Sequence, residues 1–309
     1  MQPTDVQHDR PTFTTPNGLV IRWLGTAGYE LTSPEGHVLL IDPYVTRVGL
    51  ARYLTRKIAP DLAKIEAAFT RVDGVLVGHS HFDHVMDTPV IAQRTGAHVY
   101  GSRSTANLMQ GLGLPATQVT AFDKAGTTTV DIGPFKVTAV PSLHSRFAIG
   151  NKVPYAGQIS EQAIGRGELS DQAPCTCDIQ LKGSDYKCGD VFSYLIDYQG
   201  FRVYHLGSAN LAEDAVPPEA KGVDLLLMCI AARFATERFV PRALAAFAPE
   251  RVMPMHYDFM WRDADKPMWL LPRTSFGRLV DDIRTFSRDI SVLTLPLVAR
   301  SSASASRLP

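Results

Sequence analysis

The chain has 309 residues, 45% of them hydrophobic and 20% charged, with 31 Lys+Arg against 31 Asp+Glu. That is the composition of a globular protein long enough for a large core, and its neutral balance speaks against a dedicated nucleic-acid surface, which shows a basic excess. No apolar run is long enough to span a bilayer, and residues 1–16 lack the apolar core of a signal peptide, so a cytoplasmic location is the default expectation.

The predicted elements begin with a β-pair, residues 19–24 and 29–31, around the turn Gly25-Thr26-Ala27-Gly28. Ser33-Pro34-Glu35-Gly36 marks another turn before a strand over 37–41, which Asp42-Pro43 ends. The basic stretch 46–57 reads as loop and a helix falls within 60–69. A strand over 74–77 precedes a helix over 88–95, a strand over 97–100 and a helix over 104–111 with Ser104 as its N-cap. Strands over 127–132, 135–140, 192–197 and 201–206 fill the middle, the last two joined at Tyr198-Gln199-Gly200. The remainder alternates as strand 225–230, helix 241–247, strand 251–255, helix 275–287 and strand 291–295. Strand runs followed by β/α alternation, repeated in two halves, predict two packed sheets with helices outside, in one α/β domain over 1–300. Residues 301–309 are of low complexity and read as a disordered tail.

One segment breaks this rhythm. Residues 146–189 are polar and rich in Gly, Pro, Gln and Asp, and loops of that length often serve as lids or binding loops. Beginning directly after His144, this insertion is expected to overhang whatever site His144 serves. Cys175, Cys177 and Cys188 lie in it with a spacing that matches no standard zinc pattern, so a structural metal, a disulfide and free thiols stay open. Cys229, in the apolar run 223–230, reads as a small core residue.

The chemistry is concentrated in His79-Ser80-His81-Phe82-Asp83-His84. Imidazole and carboxylate are the ligands that zinc and its first-row neighbours prefer. In an extended segment, residues two apart share a face, so His79 and His81 can reach one ion together. Asp83 and His84 fall where the chain must turn, and can face a second ion beside the first. His144 and His256 each follow a predicted strand, where a site-building loop would supply further ligands.

With these residues in view, the chain resembles the metallo-β-lactamase-fold hydrolase superfamily from about residue 19 to 295. The resemblance rests on Ile21-Arg22-Trp23-Leu24-Gly25-Thr26-Ala27-Gly28, Leu40-Ile41-Asp42-Pro43 and the 79–84 cluster, and on Pro141-Ser142-Leu143-His144 and Met253-Pro254-Met255-His256-Tyr257. Within it, the chain is most similar to the branch of bacterial ascorbate-6-phosphate lactonase and the phospholipase D acting on N-acyl phosphatidylethanolamine. The resemblance implies a four-layer αββα sandwich with metals at the rim between the sheets. It implies His79, His81 and His144 as ligands of a first metal, and Asp83, His84 and His256 as ligands of a second. Zinc is the expected metal, one or two ions per chain, with manganese or iron as alternatives. Asp42 matches the family's strand-end aspartate and would fix the tautomer of a liganding imidazole through a hydrogen bond.

The chain departs from the family at Gly207-Ser208, where the family carries a metal-bridging aspartate. A neutral hydroxyl is a poor ligand, and losing that charge raises repulsion between two dications. A retained first site and a weak second are therefore expected. The leading functional expectation is hydrolysis of a small ester, lactone or phosphoester by metal-bound hydroxide, with Asp83 orienting water and His205 as a candidate proton donor. Tyr257, Trp261 and Arg262 are candidate substrate-binding residues, and Arg47, Arg52, Arg56 and Lys57 form either an anion patch or a solvated face. The alternatives are a phosphodiesterase or nuclease, and an impaired binding or sensor protein suggested by Ser208. Small-molecule substrates are expected as partners, without nucleic acid, and self-association is left open.

Overall fold

The computed structural model describes residues 1–146, 152–160 and 181–297. Apolar alternation sets its layers. In the strand Val38–Ile41, Leu39 and Ile41 enter the core between the sheets, while Leu40 enters a second core beneath the helices. A strand that buries both faces belongs in an inner layer of a sandwich.

The first sheet takes its strands in chain order: Thr12–Thr14 (β1), Val20–Gly25 (β2), Gly28–Thr32 (β3), Val38–Ile41 (β4), Gly74–Leu76 (β5), His98–Gly101 (β6) and Val119–Ala121 (β7). β1 to β4 pair antiparallel, and β4 to β7 parallel. The second sheet repeats the plan with Thr128–Ile132 (β8), Phe135–Ser142 (β9), Val191–Tyr198 (β10), Phe201–Leu206 (β11), Leu225–Cys229 (β12), Arg251–Met255 (β13) and Ser291–Val292 (β14). There the pairing is antiparallel as far as β11 and parallel beyond it.

The helices are Leu50–Thr55 (α1), Leu62–Ala68 (α2), Phe82–Val85 (α3), Thr88–Thr95 (α4), Arg103–Gly111 (α5), Phe239–Phe247 (α6) and Phe276–Phe286 (α7). Ile65, Ile91, Leu108 and Met109 pack on Val75 and Val99 of the first sheet. Phe239, Leu244, Phe247, Leu279 and Ile283 join the core formed with the second sheet. The outcome is the α/β four-layer αββα sandwich. No helix among the described residues is long and apolar enough to cross a membrane.

Parallel strands deliver their carboxyl ends to one edge, and that edge is where the sheets are stitched together. The Phe192 N–H donates to Gly78 O at 2.8 Å, and the Tyr194 hydroxyl donates to Val77 O at 2.7 Å. Ligands bind outside strand carboxyl ends in open α/β sheets because loops there are free to diverge.

Several local expectations change. The stretch 46–57 contains the helix α1, which sequence periodicity could not reveal because none of its residues is buried. The cap of α5 is Ser102, whose side chain accepts from the Thr105 N–H, rather than Ser104. Ser104 instead donates its hydroxyl to Gln158 at 2.5 Å. The last strand ends at Val292, and the short edge strands β1 and β7 appear without a clear signal in the sequence. The expected tail over 301–309, together with Cys175 and Cys177, lies outside the described residues. Cys188 is a buried free thiol, and its backbone bonds to Tyr155 O and to the Ser80 N–H.

Candidate metal centre

Between β5 and α3 the chain bends at Gly78 and reaches His81 in an extended conformation, and His79 and His81 converge there. Their Nε2 and Nδ1 atoms stand 3.0 Å apart. α3 begins at Phe82 with His81 as its N-cap, so Asp83 and His84 swing to the neighbouring position. His144 arrives two residues beyond β9. Its loop is held by the Ser208 hydroxyl, which accepts from the Ser145 N–H at 3.0 Å, and by the Asn210 amide on His144 O at 3.3 Å. His256 follows β13 in a left-handed conformation, φ 60°, and its N–H donates to Thr26 O at 2.9 Å.

Two donor clusters result: His79, His81 and His144, then Asp83, His84 and His256, the ligand atoms of each lying within 4.8 Å of one another. The three rings of the first cluster stand nearly perpendicular, with centroids 4.7 to 4.8 Å apart. In the second, Asp83 Oδ2 is 3.1 Å from His256 Nε2 and 3.8 Å from His84 Nε2.

Hydrogen bonds on the outer side fix which ring nitrogens carry lone pairs. Carbonyl oxygens only accept, so His81 donates through Nε2 to Pro154 O at 2.9 Å, and His144 through Nδ1 to Ser145 O at 2.5 Å. His84 donates through Nδ1 to Asp42 Oδ2 at 2.8 Å. The neutral rings of His81 and His144 therefore turn an unprotonated nitrogen toward their cluster, and His84 does so once its Nε2 proton is displaced. Lone pairs crowded together in a buried site repel, and a shared cation is the partner that relieves this. The donor set fits a zinc-type metal in each cluster, and nitrogen and carboxylate donors also suit manganese or iron.

The protonation states agree with that fit. Burial holds His79 well below the usual imidazole range, reinforced by His84 and the other histidines. Burial likewise brings His81 down to about 4 and His144 to about 3. Burial pushes Asp83 up, but His84 and His256 outweigh it and hold the carboxyl below its usual value. Burial would lower His84, yet Asp42 and Asp83 prevail and raise it.

Asp42 is fully buried and left-handed, φ 45°, and its Oδ1 accepts the Gly78 N–H at 2.6 Å. A Cβ at Gly78 would lie 3.0 Å from Asp42 Oδ2, and one at Gly207 3.1 Å, so both glycines permit the carboxylate's approach. Asp258, which the sequence did not single out, anchors the second cluster indirectly. Its carboxylate accepts the Thr26 N–H at 3.0 Å and pairs with buried Arg47 at 2.5 Å, bracing the turn that holds His256.

Other candidates fall elsewhere. His205 is buried with its Nε2 donating to Ala27 O at 2.8 Å, outside the cavity that holds the clusters. Tyr257 packs against Trp23 and Phe276 in the core. Arg262 lies over Trp269 and bonds Pro267 O, also outside the cavity. Of that trio only Trp261 lines it. Arg47 is consumed by Asp258, and Arg52, Arg56 and Lys57 are exposed away from the cavity lining.

The cavity itself holds about 290 Å³, and all six residues of the two clusters line it. Its walls include Tyr53, Phe82, Tyr155, Phe234, Met260 and Trp261, of which only Trp261 was anticipated. The hydroxyls of Tyr53 and Tyr155 meet at 3.1 Å, so α1 and the insertion touch across its mouth.

Two outcomes test this description. Because the first-cluster imidazoles are lowered and His84 is raised, protons compete for the second cluster at higher pH. A zinc-loaded protein taken from pH 8 toward 5 is expected to fall from two ions per chain to one before losing the last, as read by competition with a chromophoric chelator; simultaneous loss would contradict the assignment. Replacing Ser208 with Ala strands the buried Ser145 N–H at a cost of about 1–3 kcal/mol. The expected result is first-site affinity at least tenfold weaker, and unchanged affinity would show that Ser208 does not hold the His144 loop.

The family model of the beta-lactamase superfamily domain matches residues 20–256. A UPF0173 metal-dependent hydrolase of Cupriavidus taiwanensis is 31% identical over 245 residues, covering 77% of this chain and 73% of that protein. Its counterpart in Cupriavidus necator is 29% identical over 245 residues, with the same coverage of 77% and 73%. Among solved structures, the metallo hydrolase Igni18 of Ignicoccus hospitalis superposes with a TM-score of 0.53 at 18% identity, over 91% of this chain and 96% of its own. These likenesses support the superfamily and do not reach the finer lactonase and phospholipase D branch. The chain belongs to the metallo-β-lactamase superfamily.

Proposed function

We propose that this protein is a metal-dependent hydrolase of small carboxylic esters or lactones with an apolar body. The observation that carries the reading is the cavity, where two metal-binding clusters face aromatic walls. His79, His81 and His144 would hold one ion, and Asp83, His84 and His256 a second. Bound metal would polarise the scissile carbonyl and lower the pKa of water toward ~7. Asp83, kept ionised between His84 and His256, accepts a proton from the attacking water or fixes its orientation. Trp261, Phe82 and Phe234 bury the apolar part of the substrate and set its carbonyl over the clusters.

The described parts of the insertion support a lid role: Pro154 holds His81 and Tyr155 lines the mouth, so this segment excludes water from the bound substrate. Apart from the two ions, the described lining offers a phosphodiester one Lys or Arg side chain, Arg146, beside mostly apolar walls, which favours carboxylic substrates over nucleic acid. Ser208 supports turnover rather than a ligand-binding relic, since its hydroxyl serves the His144 loop and both clusters stay convergent.

The test is a panel of neutral aryl and alkyl esters, lactones and an aryl phosphodiester, assayed with metal-loaded and chelator-treated protein. Chelator-sensitive turnover that favours the carboxylic substrates is expected. Trp261→Ala should raise KM for aryl esters about tenfold with a smaller change in kcat, the loss expected from removing an aromatic wall. Turnover of the phosphodiester alone, or none under metal-replete conditions, would overturn the reading.

A further inference from the structure

Beyond the cavity wall lies a second concavity between the start of α6 and the length of α7. Phe234 lines both spaces. Ala231 and Ala232 before it, and Leu271 and Pro272 across from it, face the metal cavity, while Arg233 and Arg273 face the groove. Two short turns thus form a partition with chemistry on each side.

The groove side is cationic. Arg233, Arg238, Arg273 and Arg278 line it against the two acids Glu237 and Asp282. In a chain of zero net charge this local excess is a departure from the average. Arg238, Arg273 and Arg278 are exposed, and no described carboxylate forms an ion pair with them. Arg233 is only 7% exposed; its Nη2 donates to Ser275 O at 3.0 Å, but its buried Nε has no partner among the described residues. Asp282 stabilises the charge as a whole, but a buried N–H left without an acceptor is costly.

The backbone points the same way. Arg238, Arg273 and Ser275 are left-handed, with φ of 47°, 64° and 43°. Conformations of that kind persist where surrounding structure enforces them, and often at binding sites. The nine-residue helix α6 opens onto the groove without a side-chain cap; Pro241 has no N–H and the Arg242 N–H donates to Arg238 O, so the Phe239 and Val240 N–H groups are the ones that add positive potential. The Arg273 guanidinium stands 5.9 Å from the Phe234 ring, joining the cationic side to the apolar partition.

We propose that this groove binds an anionic group, a phosphate or carboxylate, beside the metal cavity. The group is either the far end of a substrate whose reactive carbonyl sits across Phe234, or a free anion. Planar guanidinium groups suit both oxyanions through paired N–H···O bonds. The substrate source rests on the hydrolase reading above, whereas anion binding stands without it.

The experiment is calorimetric titration of the full-length, metal-loaded protein with inorganic phosphate, set beside the Arg238→Gln/Arg273→Gln double variant and His81→Ala. Phosphate affinity is expected to fall at least tenfold in the double variant and to persist in His81→Ala. Affinity lost in His81→Ala but kept in the double variant would place the anion on the metals, and absence of binding to the unaltered protein would equally overturn the site. A matched pair of esters, one neutral and one ending in a carboxylate, separates the sources. A tenfold rise in KM confined to the anionic ester in the double variant assigns the groove to substrate. Unchanged KM for both esters, together with lost phosphate binding, assigns it to a free anion.

Discussion

A single buried carboxylate, Asp42, is the constraint around which the rest of the centre is arranged. It stands at the end of β4, accepts the Gly78 N–H that precedes the histidine motif, and accepts the Nδ1 proton of His84. Gly207, at the end of β11 in the other sheet, approaches the same carboxylate closely. One side chain therefore touches both halves of the sandwich and the start of the motif. An unpaired carboxylate there would be prohibitively desolvated, so its hydrogen bonds are obligatory and the geometry they impose is rigid.

From that anchor, the protonation pattern follows. Outer hydrogen bonds send the protons of His81 and His144 away from their cluster, leaving lone pairs inward, and hold the Nδ1 proton of His84 on Asp42. Burial keeps the first cluster neutral, while the acids around His84 favour its charged form. The two clusters are thus chemically unequal although their atoms are similarly close. Ser208 fits this asymmetry: it offers no bridging charge and instead secures the loop that carries His144.

The candidate metal centre was legible in the sequence because its core is local. Six consecutive residues carry four donors, and strand period alone pairs His79 with His81. His144 and His256 were legible as strand-end residues, and the layered order followed from strand and helix periodicity. The cavity wall was not legible, since Tyr53, Tyr155 and Phe234 come from distant segments and only packing brings them together. Proximity in sequence also misled. Tyr257 and Arg262 flank His256 and Trp261, yet backbone direction turns Tyr257 into the core and Arg262 onto Trp269. His205 looked reactive two residues before Gly207, but strand alternation points it between the sheets, toward Ala27. Asp258 was missed because its partners, Thr26 and Arg47, lie more than two hundred residues earlier.

Two adjacent metal sites built from this chain's own residues have a direct crystallographic signature. Anomalous diffraction from crystals of the metal-loaded protein, recorded at the absorption edge of the bound metal, tests for them most directly. One peak is expected among His79, His81 and His144 and a second, of equal or lower occupancy, among Asp83, His84 and His256. Peaks held by other residues, or none at either cluster, would contradict this arrangement.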